Sequence, residues 1–171
     1  KKVWWKCPKG DDHEWQARIL NRHIQGNGCP FCSGSGTSKP EIRILCELKY
    51  LFGSEMVMWR NRNCGAEIDI FIEKYGIGIE YDGSYWHKKK VQSDTDKNQF
   101  FSKKGIEIIR VRERPLKMIS KNDMLISDRS LTKNDLNALV LKIKSFMIKP
   151  IKIDFDSYID SSSFFNDKEF N

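Results

Sequence analysis

After Ser38 and Glu41, which stand three apart as a capping box, Leu45, Leu48 and Phe52 recur at helical spacing until Gly53 ends the run. This predicts a helix, with Pro40 in its first turn. Met56 to Trp59 reads as a short strand. From Ala66 to Ile72 polar and apolar residues alternate, which puts Ile68, Ile70 and Ile72 on one face. Alternation returns from Ile77 to Tyr81 after a hairpin turn at Lys74-Tyr75-Gly76. Asp94 to Lys104 has helical character, Gly105 marks a junction, and Ile106 to Val111 reads as a buried strand. Thr132 and Asp135 form a second cap ahead of Leu136, Leu139, Val140, Ile143 and Met147, a helix expected to cover the sheet. The tail from Asp154, rich in Ser, Asp and Phe, has no strong period, and a packed arm and a mobile end both stay open. Together these elements predict an α/β fold with a mixed sheet flanked by helices.

The first three dozen residues have a different character. They are rich in Trp and Cys, and the small polar run Gly34-Ser35-Gly36-Thr37-Ser38 separates them from the rest. The expected organisation is a small module over 1–36, a catalytic-sized domain with its covering helix over 37–150, and a tail over 151–171. Within the module, Cys7, His13, Cys29 and Cys32 make four candidate ligands. Zinc takes about four soft or borderline ligands in a tetrahedron, and a Cys-Pro-x-Cys knuckle lets two sulfurs bind one ion. So short a stretch with little apolar material would draw its folding free energy from the metal. His23 competes with His13 for the histidine place. His13 is preferred because it lies in the turn from Cys7 to Trp15, while His23 lies in a segment of strand or helix beside Arg18 and Arg22.

Composition narrows the class further. With 171 residues the chain can hold one real core and a small appended module. Its 39% hydrophobic and 31% charged residues are ordinary for a globular protein, and no apolar run is long enough to span a bilayer. Five cysteines, an odd number, without secretory features suit a metal site in a reducing compartment better than a disulfide framework. A cytoplasmic location is expected. The net charge of +7 favours a polyanionic partner, because phosphate-neutralising Lys and Arg gain from counterion release. The chain opens at Lys1 with no cleavable signal pattern, as a piece of a longer protein would, which leaves room for further zinc modules upstream. Oligomeric state has no legible signal.

Three carboxylates stand where a sheet can bring them together. Asp69 lies on one strand of the expected hairpin, and Glu80 and Asp82 lie two apart on its neighbour, so these last two project to one face. Converging carboxylates repel unless a cation sits among them, and Mg²⁺ prefers oxygen ligands.

The head, with its Trp-Trp-x-Cys start, His13-Glu14-Trp15, an Arg and Gly28-Cys29-Pro30-Phe31-Cys32, resembles the zinc-ribbon (treble-clef-like) modules found beside nuclease domains. Asp12 stands where that pattern usually has Gly. Ala66-Glu67-Ile68-Asp69-Ile70 and Gly78-Ile79-Glu80-Tyr81-Asp82-Gly83-Ser84-Tyr85-Trp86-His87 resemble the PD-(D/E)XK nuclease superfamily. The closest branch holds the very short patch repair endonucleases and the homing endonucleases with the EDxHD motif. The resemblance spans Pro40 to Arg114 and implies a restriction-endonuclease-like fold and metal-dependent hydrolysis of DNA, of homing or other mobile-element or phage type. Its setting would be a bacterial, phage-infected or virus-associated cell. Mismatch nicking is the second expectation, and a zinc-dependent DNA-binding protein that has lost cleavage is the third.

By motif place, the resemblance assigns catalytic roles to Glu41, Asp69, His87 and Asp94, with Glu80 beside them. Asp69 would be the central ligand of Mg²⁺ or Mn²⁺, joined by Glu80 or the Tyr81 carbonyl, and Glu41 would reach the ion through water, hold a nearby group, or only close its capping box. Asp82 takes the place where many relatives carry a catalytic Lys. His87, whose ordinary pKa of about 6.5 suits proton exchange near neutrality, then becomes the general acid or base. Asp94 would orient it, with Asp96 as competitor, and Lys97 stands where these families usually have Arg. Lys88, Lys89 and Lys90 either contact the DNA backbone or form a solvated face. Tyr85 and Trp86 either wedge into DNA or pack in the core. Arg18 and Arg22, with Lys9 and Trp15 nearby, either grip phosphate or stay solvated.

Overall fold

The structure, a computed structural model, describes residues 1–8, 14–23, 28–29, 38–88, 90–127, 131–147 and 153–165; the side chains of Trp15, Tyr85 and Trp86 are not described. It divides into two compact units, Lys1–Ser38 and Lys39–Asn171.

In the first unit β1 (Lys2–Lys6) pairs antiparallel with β2 (Glu14–Arg18), bringing Trp5 opposite Trp15 in register, and α1 (Ile19–His23) follows. The Trp5 indole N–H donates to the Ala17 carbonyl at 3.2 Å, and the Arg22 guanidinium lies 5.0 Å over the Trp5 ring. Among the described residues of this unit, only Cys7 and Cys29 are buried. Among the described residues the burial thus falls on two sulfurs rather than on apolar side chains.

The second unit is a mixed α/β fold. Its elements are α2 (Lys39–Phe52), β3 (Val57–Asn61), β4 (Ile68–Ile72), β5 (Ile77–Asp82), α3 (Ser84–His87), α4 (Val91–Ser102), β6 (Glu107–Glu113), β7 (Met124–Ile126), α5 (Lys133–Phe146) and α6 (Phe155–Asp160). The five strands order as β3-β4-β5-β6-β7, antiparallel through β5 and parallel from β5 to β7. On one face, Ile44, Leu48 and Phe52 of α2 and Leu136, Leu139, Val140 and Ile143 of α5 pack on Ile70, Ile72, Ile77, Ile79, Ile109 and Val111. A second cluster of Ile68, Phe71, Phe101, Ile106 and Ile108 brings α4 to the sheet.

Local chemistry explains the joints. The Thr132 hydroxyl accepts the Asp135 N–H at 3.2 Å while the Asp135 carboxylate accepts the Thr132 N–H at 2.8 Å, the capping box expected for α5. Between β4 and β5 a short 3-10 turn (Glu73–Tyr75) ends at Gly76, whose φ of 61° is left-handed and costs glycine little. At Gly78 a Cβ would come within 2.5 Å of Ile108 Cδ1 and 3.0 Å of Ile68 Cγ2, so glycine leaves room for these two side chains over the sheet.

Three expectations need correction. Ile68 does not share a cluster with Ile70 and Ile72; it packs with Phe71, so the alternation slips between them, at Asp69 and Ile70. Helix α4 begins at Val91, ahead of Asp94, which places Asp94 inside its first turn. The described part of the tail is a packed arm: α6 docks on α2, where the buried Glu47 accepts the Tyr158 hydroxyl at 2.8 Å and the Phe165 N–H at 3.0 Å. Phe165 stacks between Tyr50 and Tyr158, at 4.8 and 5.3 Å between ring centroids.

Candidate active site

The ladder between β4 and β5 runs from Ile72–Ile77 to Ile70–Ile79 and stops there. One step beyond, Asp69 and Glu80 face each other. The Asp69 carboxylate, instead of a backbone carbonyl, accepts the Tyr81 N–H at 3.0 Å, and the Asp69 N–H donates to Glu80 Oε1 at 3.3 Å. The strands part, and two acidic side chains fill the opening. Lys97, one turn along α4 from Asp94, donates from Nζ to Glu80 Oε2 at 2.6 Å. Burial, with the Asp69 charge second, raises the Glu80 pKa to about 7 against the opposing pull of Lys97 and Arg110.

A second group adjoins the first through Arg110, which lies beside Glu80 in the β5–β6 register as Arg112 lies beside Asp82. Both arginines are fully buried. Arg110 Nη1 donates to Asp82 Oδ1 at 2.8 Å and lies 3.9 Å from Glu80, while Arg112 Nη1 donates to Asp82 Oδ2 at 2.5 Å. His87 closes the group: its Nδ1 lies 3.0 Å from Asp94 Oδ2 and 3.3 Å from Asp82 Oδ1. Both neighbours are carboxylates, which favours the tautomer with the proton on Nδ1. Burial pushes Asp82 up despite Arg110, His87 and Arg112. Burial pushes on Asp94 too, but the His87 hydrogen bond and the charges of Arg110, His87 and Arg112 bring it below the ordinary value. The turn carrying His87 is pinned by the buried Glu113, which accepts the Ser84 N–H at 2.8 Å and the Tyr81 hydroxyl.

Ligand atoms of Asp82, His87 and Asp94 lie within 4.8 Å of one another, a spacing that suits a metal ion. The charges argue otherwise. Two buried guanidiniums already balance the two carboxylates, and a dication added there would be repelled at short range in a medium of low dielectric. Asp69 and Glu80 face Lys97 at 2.6 Å and Arg110 at 3.9 Å, both on the Glu80 side, and carboxylate oxygens are donors of the kind Mg²⁺ or Mn²⁺ prefers.

Glu41 projects from the first turn of α2 toward β3. Its Oε1 accepts the Trp59 indole N–H at 3.1 Å and lies 3.9 Å from Arg60 Nε. Arg60 falls between the Trp59–Ile70 and Asn61–Ile68 pairs, which sets it opposite Asp69. Asp96 is exposed and bonds Gln92 at 2.8 Å, so of the two aspartates it is Asp94 that meets His87. Lys88 and Lys90 are exposed at the end of the His87 turn, and Lys89 lies outside the described residues. Tyr85 and Trp86 belong to α3.

In the first unit the two described members of the expected ligand set, Cys7 and Cys29, are the buried ones; His13, Cys32 and Lys9 lie outside the described residues. Residues 1–35 match the family described as a probable treble clef zinc finger domain. A structural zinc suits this zinc finger, because two soft sulfur donors are buried in it. Arg18 is exposed at the end of β2 of the zinc finger, and Arg22 covers Trp5. Neither a curated protein nor a solved structure matches the chain. Among the described residues no helix is long and apolar enough to cross a membrane.

Sequence reasoning passed over Arg60, Arg110, Arg112 and Glu113. For the two strand arginines the signal was present: a cation amid Ile109 and Val111 is costly in a buried strand unless paired, so it points to a partner carboxylate.

Proposed function

We propose that residues 39–171 form a restriction-endonuclease-like, divalent-metal-dependent endodeoxyribonuclease, site-specific and of homing or mobile-element type. The zinc finger would bind its ion through Cys7, His13, Cys29 and Cys32. The observation that carries this reading is the parting of β4 and β5 at Asp69 and Glu80, beside a histidine whose Nδ1 is held by carboxylates.

Asp69 and Glu80, with the Tyr81 carbonyl as a further oxygen donor, would hold Mg²⁺ or Mn²⁺. When bound, such an ion lowers the pKa of water and offsets charge developing on a phosphodiester. The chain's own residues do the rest. His87 exchanges a proton at Nε2, held in orientation by Asp94 and Asp82. Lys97 brings an ammonium to Glu80 from α4, which answers the absence of a lysine at Asp82. Arg110 joins the two groups, so a charge change at Glu80 is felt at the histidine. The net charge of +7 and the exposed Lys88 and Lys90 favour a polyanionic substrate.

Supercoiled-plasmid cleavage in Mg²⁺ or Mn²⁺ tests the proposal, comparing wild type, Asp69→Ala and His87→Ala at matched zinc content. Nicked or linear product from wild type alone supports it. A wild type that binds DNA and never cuts under any metal overturns it in favour of a DNA-binding scaffold.

A further inference from the structure

The two tryptophans of β1 have different surroundings. Trp5 has a structural account: its indole N–H donates to the Ala17 carbonyl at 3.2 Å, and the Arg22 guanidinium covers its ring. Trp4 lies on the other face of the hairpin and is 69% exposed. Side chains directly opposite each other in an antiparallel pair share a face, so Lys2, Trp4 and Lys6 stand with Arg18, Gln16 and Glu14, and all six are exposed. Charge along that face is uneven. Lys6 Nζ lies 3.4 Å from the carboxylate of Glu14, its partner in the register, so that end is balanced. At the other end Lys2 stands opposite Arg18, and like charges directly opposite destabilise a hairpin. Among the described residues neither of these two cations is ion-paired. The hairpin's own stability therefore accounts neither for the open ring nor for the cation pair beside it.

We infer that this face of the zinc finger binds an unpaired DNA strand, with a phosphate over Lys2 and Arg18 and the neighbouring base stacked on Trp4. Two cations on one face attract a phosphate, and every base has a π-face that an open indole can cover. Residues two apart on a strand stand about 7 Å from each other, so the ring and the cations reach the same nucleotide. Gln16, opposite Trp4, adds an amide that both donates and accepts beside the base. A paired base keeps its faces inside the stack, so the strand that uses the ring is an unpaired one. Binding here needs no cleavage, and it is tested apart from the nuclease reading.

The test follows binding of labelled oligo(dT), and of a duplex of the same length, to the full zinc-loaded chain without added Mg²⁺ across a KCl series. Trp4→Leu keeps an apolar side chain on the strand and removes the π-face. It should weaken oligo(dT) binding by about tenfold or more, leave the salt slope unchanged, and change duplex binding little. Trp4→Phe should bind oligo(dT) within about threefold of wild type. Lys2→Gln with Arg18→Gln should make the log–log salt slope for oligo(dT) shallower by about 0.7, the figure for one phosphate of a single strand. Bound zinc equal to wild type checks that each variant keeps the finger; if Trp4→Leu loses zinc, the double substitution, at two exposed polar positions, carries the test. Oligo(dT) binding unchanged in Trp4→Leu, an equal loss on oligo(dT) and duplex, or a slope unchanged in the double variant would overturn the proposal. So would a wild type that does not hold oligo(dT). Sedimentation without DNA separates the other occupant: a dimer that Trp4→Leu dissociates would assign the face to a second copy of the chain and overturn the proposal as well.

Discussion

The two units solve the problem of a centre differently. In Lys1–Ser38 the buried described residues are two cysteines, and apolar side chains such as Trp4, Ile19 and Leu20 stay exposed. In Lys39–Asn171 an apolar core is buried, and the charged groups buried beside it include the ion-paired Asp82, Arg110 and Arg112. On the proposed reading a metal would have two different jobs. In the zinc finger it would substitute for a core, and folding would depend on it. At Asp69 and Glu80 the core is complete without it, so a cation there is a matter of function and of local charge.

The largest expected effect breaks that comparison at the zinc finger. Structural zinc contributes on the order of 10 kcal/mol in modules of this size, so a strong chelator should abolish the order of residues 1–38. Amide hydrogen exchange of the intact chain would show protection lost in β1 and β2 and kept in β3 to β7. Equal loss in both units would mean that the second also depends on zinc.

Next in size is the buried charge group. Asp82→Ala leaves Arg110 and Arg112 buried without their closest carboxylate, and breaking such a pair costs about 3–5 kcal/mol. Urea denaturation should show it as a lowered midpoint. A loss under about 1 kcal/mol would mean that water reaches the guanidiniums.

Glu80 sharpens the contrast through pH. Its pKa is raised from 4.5 to about 7, so between those values the folded protein holds a proton that the unfolded chain has released. Stability from this group is complete below the lower value, falls as pH rises through the higher one, and is level above it. The span corresponds to roughly 3 kcal/mol. Glu80→Gln should flatten that fall, and Mg²⁺ should stabilise wild type more at pH 8 than at pH 5. An unchanged pH profile in the variant would mean that Lys97 already neutralises Glu80 in full.

The smallest effects belong to the surface. Lys88→Ala and Lys90→Ala should move stability by less than about 0.5 kcal/mol. If these side chains touch phosphate, each lowers the salt slope of DNA binding by about one; an unchanged slope makes them a solvated face.

Much of this was legible in the chain because local rules dominate where one face packs on a core. Helical spacing gave α2 and α5 with their contacts, and alternation gave the hairpin of β4 and β5. The rest depends on distant partners. Strand β7 has three residues, too few for a period, and α6 is held by Glu47, 111 residues away from Tyr158. The slip at Asp69 is invisible in the alternation itself, because Ile68, Ile70 and Ile72 read as one stripe. At the site, the Asp94–His87 contact was expected, whereas the cross-strand partners Arg110 and Arg112 require the parallel register of β5 and β6.

The most direct measurement is calorimetric titration of Mn²⁺ into the zinc-loaded chain as wild type, Asp69→Asn and Asp94→Asn. Asparagine can keep the hydrogen bond from Tyr81 N–H that Asp69 accepts, so the first variant removes charge with little change of shape. The account predicts binding to wild type and to Asp94→Asn, and none to Asp69→Asn. Binding that survives in Asp69→Asn and disappears in Asp94→Asn would put the ion between Asp82, His87 and Asp94, and would contradict it.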